Sequence, residues 1–565
     1  MRNAIINRKT EVPRPREWLG IIVLFLVAGI VGHEPWRGDE TYGFGIIYHF
    51  YTTGTWLVPT NAGVPFMEKP PLYYWTAVWF CRLLGGWLPL HDAARLSSVM
   101  YMLITTRFMW KLSRLLFASL THGEALAWMA VALLLGSLGL IRYAHELSTD
   151  VALLTGATVT LYGMAILLCA PERWRSGGAW TGVGLGAALL AKGFLVPALF
   201  GISALLLWAV VPALHTRRTA KAAGVAAIAL LPFLLWPLAL YLRAPELFMQ
   251  WFWENNVGRF LGFSVSYLGA RNEPLYFFRI IPWFAFPAFP LACITVVKRW
   301  RTARYEGAYA LPLAVAAVGT ALLLISASGR SHYLLPLLPA FALLGAQSLP
   351  LLPRAFLIGW NWAVRVLCSA IGAAVWLLWW NLMHPAAEHP LAWLAHLTGK
   401  WLPLAYMPPG SQRWSCLLAG AIAAGWLASF RLKTTSALNT AYIWLAGATL
   451  AWGSAYTLLL PWLDATKGYR LVFTEMMQAA NASADAKGCI AAYNLDESVA
   501  PMFQYFLGRL APEQDFSGHA CPLIFAKTYR DTPEVFDPRW RLIWKGSRLL
   551  DEKNEQLRLY ERVRE

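Results

Sequence analysis

Apolar stretches long enough to cross a bilayer, about 17 to 25 residues each, recur near 18–33, 94–116, 123–141, 151–169, 179–191, 194–212, 222–242, 281–297, 307–327, 334–352, 355–381, 415–430 and 438–460. A backbone inside hydrocarbon must satisfy its own hydrogen bonds, so this pattern calls for a helix bundle of about thirteen spans. Composition agrees. Of the 565 residues 58% are hydrophobic and mean hydropathy is +0.46, values that a soluble fold with a polar surface does not carry. The 30 Trp and 22 Tyr suit anchors of helix ends in the headgroup layer.

Charge gives the orientation. With a cytoplasmic N-terminus the inner loops are Lys111–Arg114, Arg173–Arg175, Arg217–Lys221, Lys298–Arg304, Arg354 and Arg431–Lys433, so cations stay inside at every turn. An odd number of spans then puts the region from about 461 onward outside, which is the periplasm for a bacterial chain and the lumen for any other. The basic N-terminus (Arg2, Arg8, Lys9, Arg14, Arg16) leads into the apolar run Trp18–Val31. His33-Glu34-Pro35-Trp36 then lacks the small residues of a cleavage site, so an uncleaved first span is expected. The net charge of +17, from 48 Lys+Arg against 31 Asp+Glu, is partly this topological bias. The rest suits anionic headgroups or phosphates. No soluble basic stretch with interleaved aromatics occurs, which argues against nucleic acid.

The expected fold class is an all-α polytopic membrane protein over 1–460, with a small α/β domain over 461–565 on the outer side. That last region alternates helical stretches (Leu471–Ala480, Glu497–Leu507) with strand-like ones (Cys489–Tyr493, Leu523–Tyr529, Leu542–Trp544, Gln556–Tyr560). Cys489 and Cys521 are its only cysteines, and an oxidising compartment would bridge them. No CxxC pair suggests zinc or thioredoxin-like chemistry.

The outer loops differ in kind. Loop 34–93 carries two amphipathic segments, Asp39–Tyr51 and Pro70–Leu84, that read as surface helices. Loop 243–280 is polar and aromatic, and 382–414 is rich in Pro, His and Trp. Loops of this length on one face usually hold function. Gly182-x-Gly184-x-x-Ala187 formally matches a dinucleotide fingerprint. It lies inside an apolar span, where Gly178, Gly182 and Gly186 at four-residue spacing read as close helix packing. No ATP loop is present, so an enzyme built this way draws on an activated substrate.

The chemically useful charges gather on the outer face: Asp39, Glu40, Glu68, Lys69, Arg142, His145, Glu146, Asp150, Lys192, Glu254, Arg259, Arg271 and Arg330, with Tyr333. In Arg37-Gly38-Asp39-Glu40, Asp39 is either a helix N-cap or an active carboxylate. Lys69 precedes a Pro-started helix, a place suited to phosphate, although a Lys snorkelling to headgroups fits too. Arg142 to Asp150 packs several acid and base groups into one short connector, where Asp150 can cap the next helix and His145 reads as an interfacial side chain rather than a base. Lys192 sits at a turn that Gly193 permits.

Arg-Gly-Asp-Glu after the first span, Glu-Lys-Pro-Pro-Leu-Tyr-Tyr-Trp from Glu68, Leu-Ala-Lys-Gly ending at Gly193, Asn-Asn-Val-Gly-Arg-Phe from Asn255 and Ser-Gly-Arg-Ser-His-Tyr-Leu-Leu-Pro from Ser328 together resemble the bacterial lipid A aminoarabinose transferases, members of the GT-C superfamily of polyprenyl-phosphate-sugar glycosyltransferases. The resemblance implies transfer of 4-amino-4-deoxy-L-arabinose from undecaprenyl phosphate to a lipid A phosphate, in the inner membrane and facing the periplasm. It implies Asp39, with Glu40, as catalytic acids, and Lys69, Arg259 and Tyr333, joined by Lys192 and Arg330, on the donor phosphate. Glu68, Tyr42, Tyr73, Asp150 and His145 would line the sugar or acceptor pocket. Many relatives carry Lys where this chain has Arg330 or Ser331. No cofactor is required. A divalent cation on Glu68 and an outer His is possible, yet Lys69, Arg259 and Lys192 meet phosphate charge without it. The expected partners are an undecaprenyl phosphate-linked sugar, lipid A or another anionic acceptor, and membrane lipids. Two alternatives stand beside this reading: a protein or glycan acceptor, whose hydroxyl would need Asp39 as base, and a lipid or solute transporter. Charges clustered at one interface rather than at the midplane disfavour the transporter.

Overall fold

The computed structural model describes residues 15–268, 271–303, 306–384, 390–410, 412–483, 488–533, 537–551 and 554–563. The cations Arg2, Arg8, Lys9 and Arg14 lie outside them. Nine helices open the chain: α1 (Pro15–Val27), α2 (Asp39–Thr53), α3 (Leu72–Leu84), α4 (Leu90–Leu116), α5 (Gly123–Leu135), α6 (Leu138–His145), α7 (Thr149–Cys169), α8 (Trp174–Lys192) and α9 (Leu195–Val210). Helix α7 is enclosed by its neighbours. Its Thr155, Thr158 and Thr160 hydroxyls donate to carbonyls one turn back, which satisfies them within the apolar interior. A Cβ added at Gly156 would lie 2.6 Å from the Ala188 amide, and one at Gly184 would lie 2.4 Å from that of Thr160. Gly182 meets Ala226 in the same way. The glycines of α8 therefore serve helix contact, as their spacing predicts.

Five helical segments among the described residues are long and apolar enough to cross a membrane, or up to eight when three bent pairs are each one span. Thirteen unbroken spans are not what the structure presents. The 123–141 stretch turns by 69° between α5 and α6, where the Ser137 hydroxyl bonds back to the Leu133 carbonyl and Trp444 Nε1 takes the Gly136 carbonyl. The 281–297 stretch bends by 100° between Phe284 and Ala288, beside Pro282 and Pro287. The third bend, 66° before Leu460–Lys467, falls at Leu459, with Pro461 in the first turn of the helix that follows.

Near the C-terminus four strands, β1 (Ile490–Tyr493), β2 (Leu523–Tyr529), β3 (Trp540–Gly546) and β4 (Glu555–Arg562), form one sheet in the order β1-β2-β4-β3. The first pair is parallel and the others antiparallel. Helix Arg470–Ala482 puts Phe473 against Phe503 of helix Val499–Leu507 and Phe525 of β2. Cys489 and Cys521 form a disulfide, with Cα atoms 5.1 Å apart. This region packs on α2: Tyr505 meets the Phe44 ring at 4.8 Å, and Gly45 leaves room for Pro501.

Candidate active site

Helix α2 begins at Asp39, preceded by Gly38 at φ +109°, a conformation glycine adopts without strain. No side chain caps the helix. The Asp39 carboxylate instead accepts the Tyr42 hydroxyl and lies 3.6 Å from the Lys69 ammonium. Lys69 also donates to the Tyr42 oxygen, so two hydrogen bonds run in one direction from Lys69 through Tyr42 to Asp39. The Lys69 charge holds the Asp39 carboxyl well below the usual carboxylate range, against the opposing effect of burial. Burial and the Asp39 charge push the Tyr42 hydroxyl well up, which keeps it a donor. Phe66 stacks on Tyr42, ring centroids 4.9 Å apart.

A second ion pair comes from the bundle. Lys192, the last residue of α8, binds Asp150 at the start of α7 and lies 5.1 Å from the Tyr333 ring centroid. Asp150 is not the cap of α7; the Ser148 hydroxyl is, accepting the Asp150 amide at 3.2 Å. After Lys192 the chain turns at Gly193, φ +111°, where a Cβ would sit 1.9 Å from Asn256 Oδ1. That oxygen accepts the Phe194 amide at 3.2 Å, and Asn256 Nδ2 donates to the Trp251 carbonyl at 2.8 Å.

Asn256 belongs to a π-helix, Gln250–Gly258, a wide-turn geometry common at functional sites. Arg259 follows it, with Nη2 2.8 Å from Glu68 Oε1. The contact is close without hydrogen-bond alignment. Arg259 Nε and Nη2 and Asn255 Oδ1 remain buried without a hydrogen-bond partner among the described residues. The Arg330 carbonyl accepts the Tyr333 amide at 3.1 Å, while its side chain makes no ion pair or hydrogen bond among the described residues, and the Tyr333 hydroxyl reaches Ser328 Oγ at 3.4 Å.

These elements line a cavity of about 460 Å³, to which Glu68, Lys69, Lys192, Asn255, Arg259 and Arg330 contribute polar side chains and Phe194, Val196, Ile202, Phe252 and Leu322 apolar ones. Lys69 pairs with Asp39, Lys192 with Asp150 and Arg259 with Glu68, which leaves the Arg330 side chain without a carboxylate partner among the described residues. Four cations against three carboxylates leave one positive charge, the complement of a phosphodiester. Burial strengthens such a match by lowering the local dielectric.

Three candidates named from the sequence lie elsewhere. Glu40 turns into the core, 3.1 Å from Arg95 Nε and accepting the Trp36 and Leu147 amides. The Tyr73 hydroxyl meets Ser98 Oγ at 2.7 Å. His145 joins helices through its ring nitrogens, 2.6 Å from the Ile141 and Phe25 carbonyls. Glu68, suggested as a metal ligand, is paired with Arg259, and no group of three or more His, Cys, Asp or Glu is placed for a metal among the described residues. Conversely, Asn255, Asn256 and His332, which sequence reasoning did not select, all line the cavity. His332 lies between the Tyr143 and Tyr333 rings. Their only advance signal was membership of the quoted motifs.

Residues 68–236 match the family model for dolichyl-phosphate-mannose-protein mannosyltransferase. Among curated relatives, the undecaprenyl phosphate-alpha-4-amino-4-deoxy-L-arabinose arabinosyl transferase 1 of Sodalis glossinidius is 27% identical over 350 residues, covering 58% of each chain. That of Pseudomonas fluorescens is 28% identical over 337 residues, covering 58% of this chain and 56% of its own. The chain spans about half the length of the curated relatives it matches. In fold it is similar to the crystal structure of ArnT from Cupriavidus metallidurans bound to undecaprenyl phosphate, with TM-score 0.65 at 15% identity over 96% of this chain and 97% of the other. The fold is accordingly that of a mostly helical, multi-pass membrane protein, and the motif resemblance to the aminoarabinose transferases is borne out by these relatives.

Proposed function

We propose that this protein is an integral membrane glycosyltransferase that moves 4-amino-4-deoxy-L-arabinose from undecaprenyl phosphate to a lipid A phosphate. The observation that carries the reading is the cavity: four cations line it, and of these the Arg330 side chain has no ion-pair partner among the described residues, which suits a lipid-linked phosphodiester, while its apolar lining suits the prenyl chain. Relatives named as undecaprenyl phosphate-aminoarabinose arabinosyl transferases and a neighbour solved with undecaprenyl phosphate support the donor and the sugar of this reading. On this reading residues 1–460 form the transferase domain, with about thirteen crossings of the inner membrane. Residues 461–565 form a periplasmic α/β domain, and the site faces the periplasm.

The chemistry follows from charge. An acceptor phosphate oxygen, already ionised, attacks the anomeric carbon while the bond from that carbon to the donor phosphate breaks and its electron pair passes to undecaprenyl phosphate. Lys69, Arg259 and Arg330 stabilise the charge on the leaving group, and Lys192 and Tyr333 complete the phosphate's surroundings. Asp39, held ionised by Lys69, is a poor proton acceptor. It therefore suits the sugar ammonium or the positive charge developing on the ring, and serves a hydroxyl acceptor badly. That argument ranks a phosphate acceptor above a protein or glycan hydroxyl, despite the mannosyltransferase family match. Glu68, Tyr42 and Asp150 hold the cations in place.

Purified protein incubated with undecaprenyl-phosphate-linked aminoarabinose and lipid A should add one aminoarabinose to the lipid, read by mass spectrometry. Unmodified lipid A together with glycosylated peptide in a parallel incubation would replace this reading with the hydroxyl-acceptor one.

A further inference from the structure

Six charged side chains meet where loop 34–93 touches the C-terminal region, and five of them belong to that region. The sixth is Arg37. Its Nη1 lies 2.8 Å from Glu555 Oε2 and 3.7 Å from Asp551 Oδ1, and its Nη2 lies 3.6 Å from Asp496 Oδ2. Lys527 pairs with Asp496 and approaches Glu555 at 3.9 Å. Arg548 is 2.6 Å from Asp551 and 3.3 Å from Glu555. Three cations face three carboxylates, so the cluster is neutral only with Arg37 in it. Burial makes that balance matter, because the Glu555 and Asp551 side chains are 0% and 1% exposed. Arg37's closest contact, to Glu555, has no hydrogen-bond alignment, so charge holds it. Removing Arg37 would leave buried negative charge uncompensated.

Arg37 stands two residues before Asp39. A Cβ on Gly38 would meet nothing within 4 Å, so what Gly38 supplies is its φ of +109°. That turn sends Arg37 to the C-terminal cluster and Asp39 to Lys69. Two further ties flank the motif: Glu34 accepts the Tyr469 and Arg470 amides and Arg470 Nε, and Asn61 donates to the Glu497 carbonyl at 2.9 Å.

We infer that Arg37 is a positioning residue through which the C-terminal region sets the approach of Asp39 to Lys69, and with it the rate of sugar transfer. This rests on the transferase reading above. Full-length Arg37→Ala protein should lose kcat on the order of 10- to 100-fold, the usual cost of a displaced reacting group. Undecaprenyl phosphate binding should stay close to wild type. Arg37→Lys should keep most of the activity, and adding Glu555→Gln to Arg37→Ala should recover part of it by removing the stranded charge. Hydrogen exchange in peptide 36–48 should quicken in Arg37→Ala. Wild-type turnover by Arg37→Ala would overturn the inference. So would parallel loss of turnover, lipid binding and Tm with no recovery in the double variant. If wild-type protein itself transfers no sugar, the transferase reading fails, and unchanged exchange in Arg37→Ala would then sink the positioning role on its own.

Discussion

Adjacent residues on a helix point about 100° apart, and this separates the two acids that open α2. Asp39 faces Lys69 and Tyr42, whereas Glu40 is locked on Arg95. Asp39→Asn should therefore lower transfer by on the order of 10²- to 10⁴-fold while undecaprenyl phosphate still binds, since the charge at the sugar is lost and the phosphate cations remain. Lys69→Ala should weaken lipid binding as well, by roughly tenfold or more, as a charge-assisted contact disappears. Near-normal transfer by correctly inserted Asp39→Asn protein would remove the role given to Asp39. The pH dependence follows from the same pair. Because Lys69 keeps the folded Asp39 pKa low, the carboxylate stabilises the fold above its unfolded pKa and loses that contribution only as pH falls through the lowered value. A transfer profile should thus show no limb from Asp39 between pH 5 and pH 8, taking about 3.9 as its unfolded pKa. Sequence pointed to Asp39 because a carboxylate at a membrane interface is costly and needs a reason, and to Glu68, Lys69, Lys192 and Arg259 through the motifs that carry the family resemblance. It could not sort Glu40 from Asp39: Arg95, the residue that claims Glu40, lies 55 positions away.

At the level of elements, the site is held by a turn and a wide helix that clasp each other. Gly193→Ala should cost about 1 to 3 kcal/mol, since alanine would occupy a strained φ and strike Asn256. Asn256→Ala added to it should relieve the clash but not the φ, so thermal unfolding of the double variant should recover only part of the loss. Full recovery would show that the backbone angle costs nothing. The turn was legible, because Lys-Gly between two apolar runs permits little else. The π-helix was not: its extra residue per turn leaves no periodic mark in nine residues. Bent spans hid for a related reason. Apolar length reports the ability to cross a membrane, but the Trp444 bond to the Gly136 carbonyl is a tertiary contact at the bend, from 308 positions away, that leaves no mark in the apolar run.

For the whole molecule, the strand and helix pattern of the C-terminal region was readable from period and turn residues, yet its contact with loop 34–93 joins residues more than 400 apart and was not. The Cys489–Cys521 bridge closes a loop of separation 32 and should contribute about 3 to 4 kcal/mol on the chain-entropy estimate. A reduced sample should unfold at lower temperature, and alkylation of both thiols in unreduced protein would show the bridge absent in solution. If residues 461–565 face the periplasm, a cysteine introduced there should react with a membrane-impermeant thiol reagent in intact cells. Labelling only after lysis would reverse the topology. The most direct measurement offers the donor lipid to lipid A and to its phosphate-free form side by side and weighs both products. Aminoarabinose should appear on the phosphorylated lipid alone; equal transfer to the dephosphorylated lipid would contradict phosphate as the nucleophile.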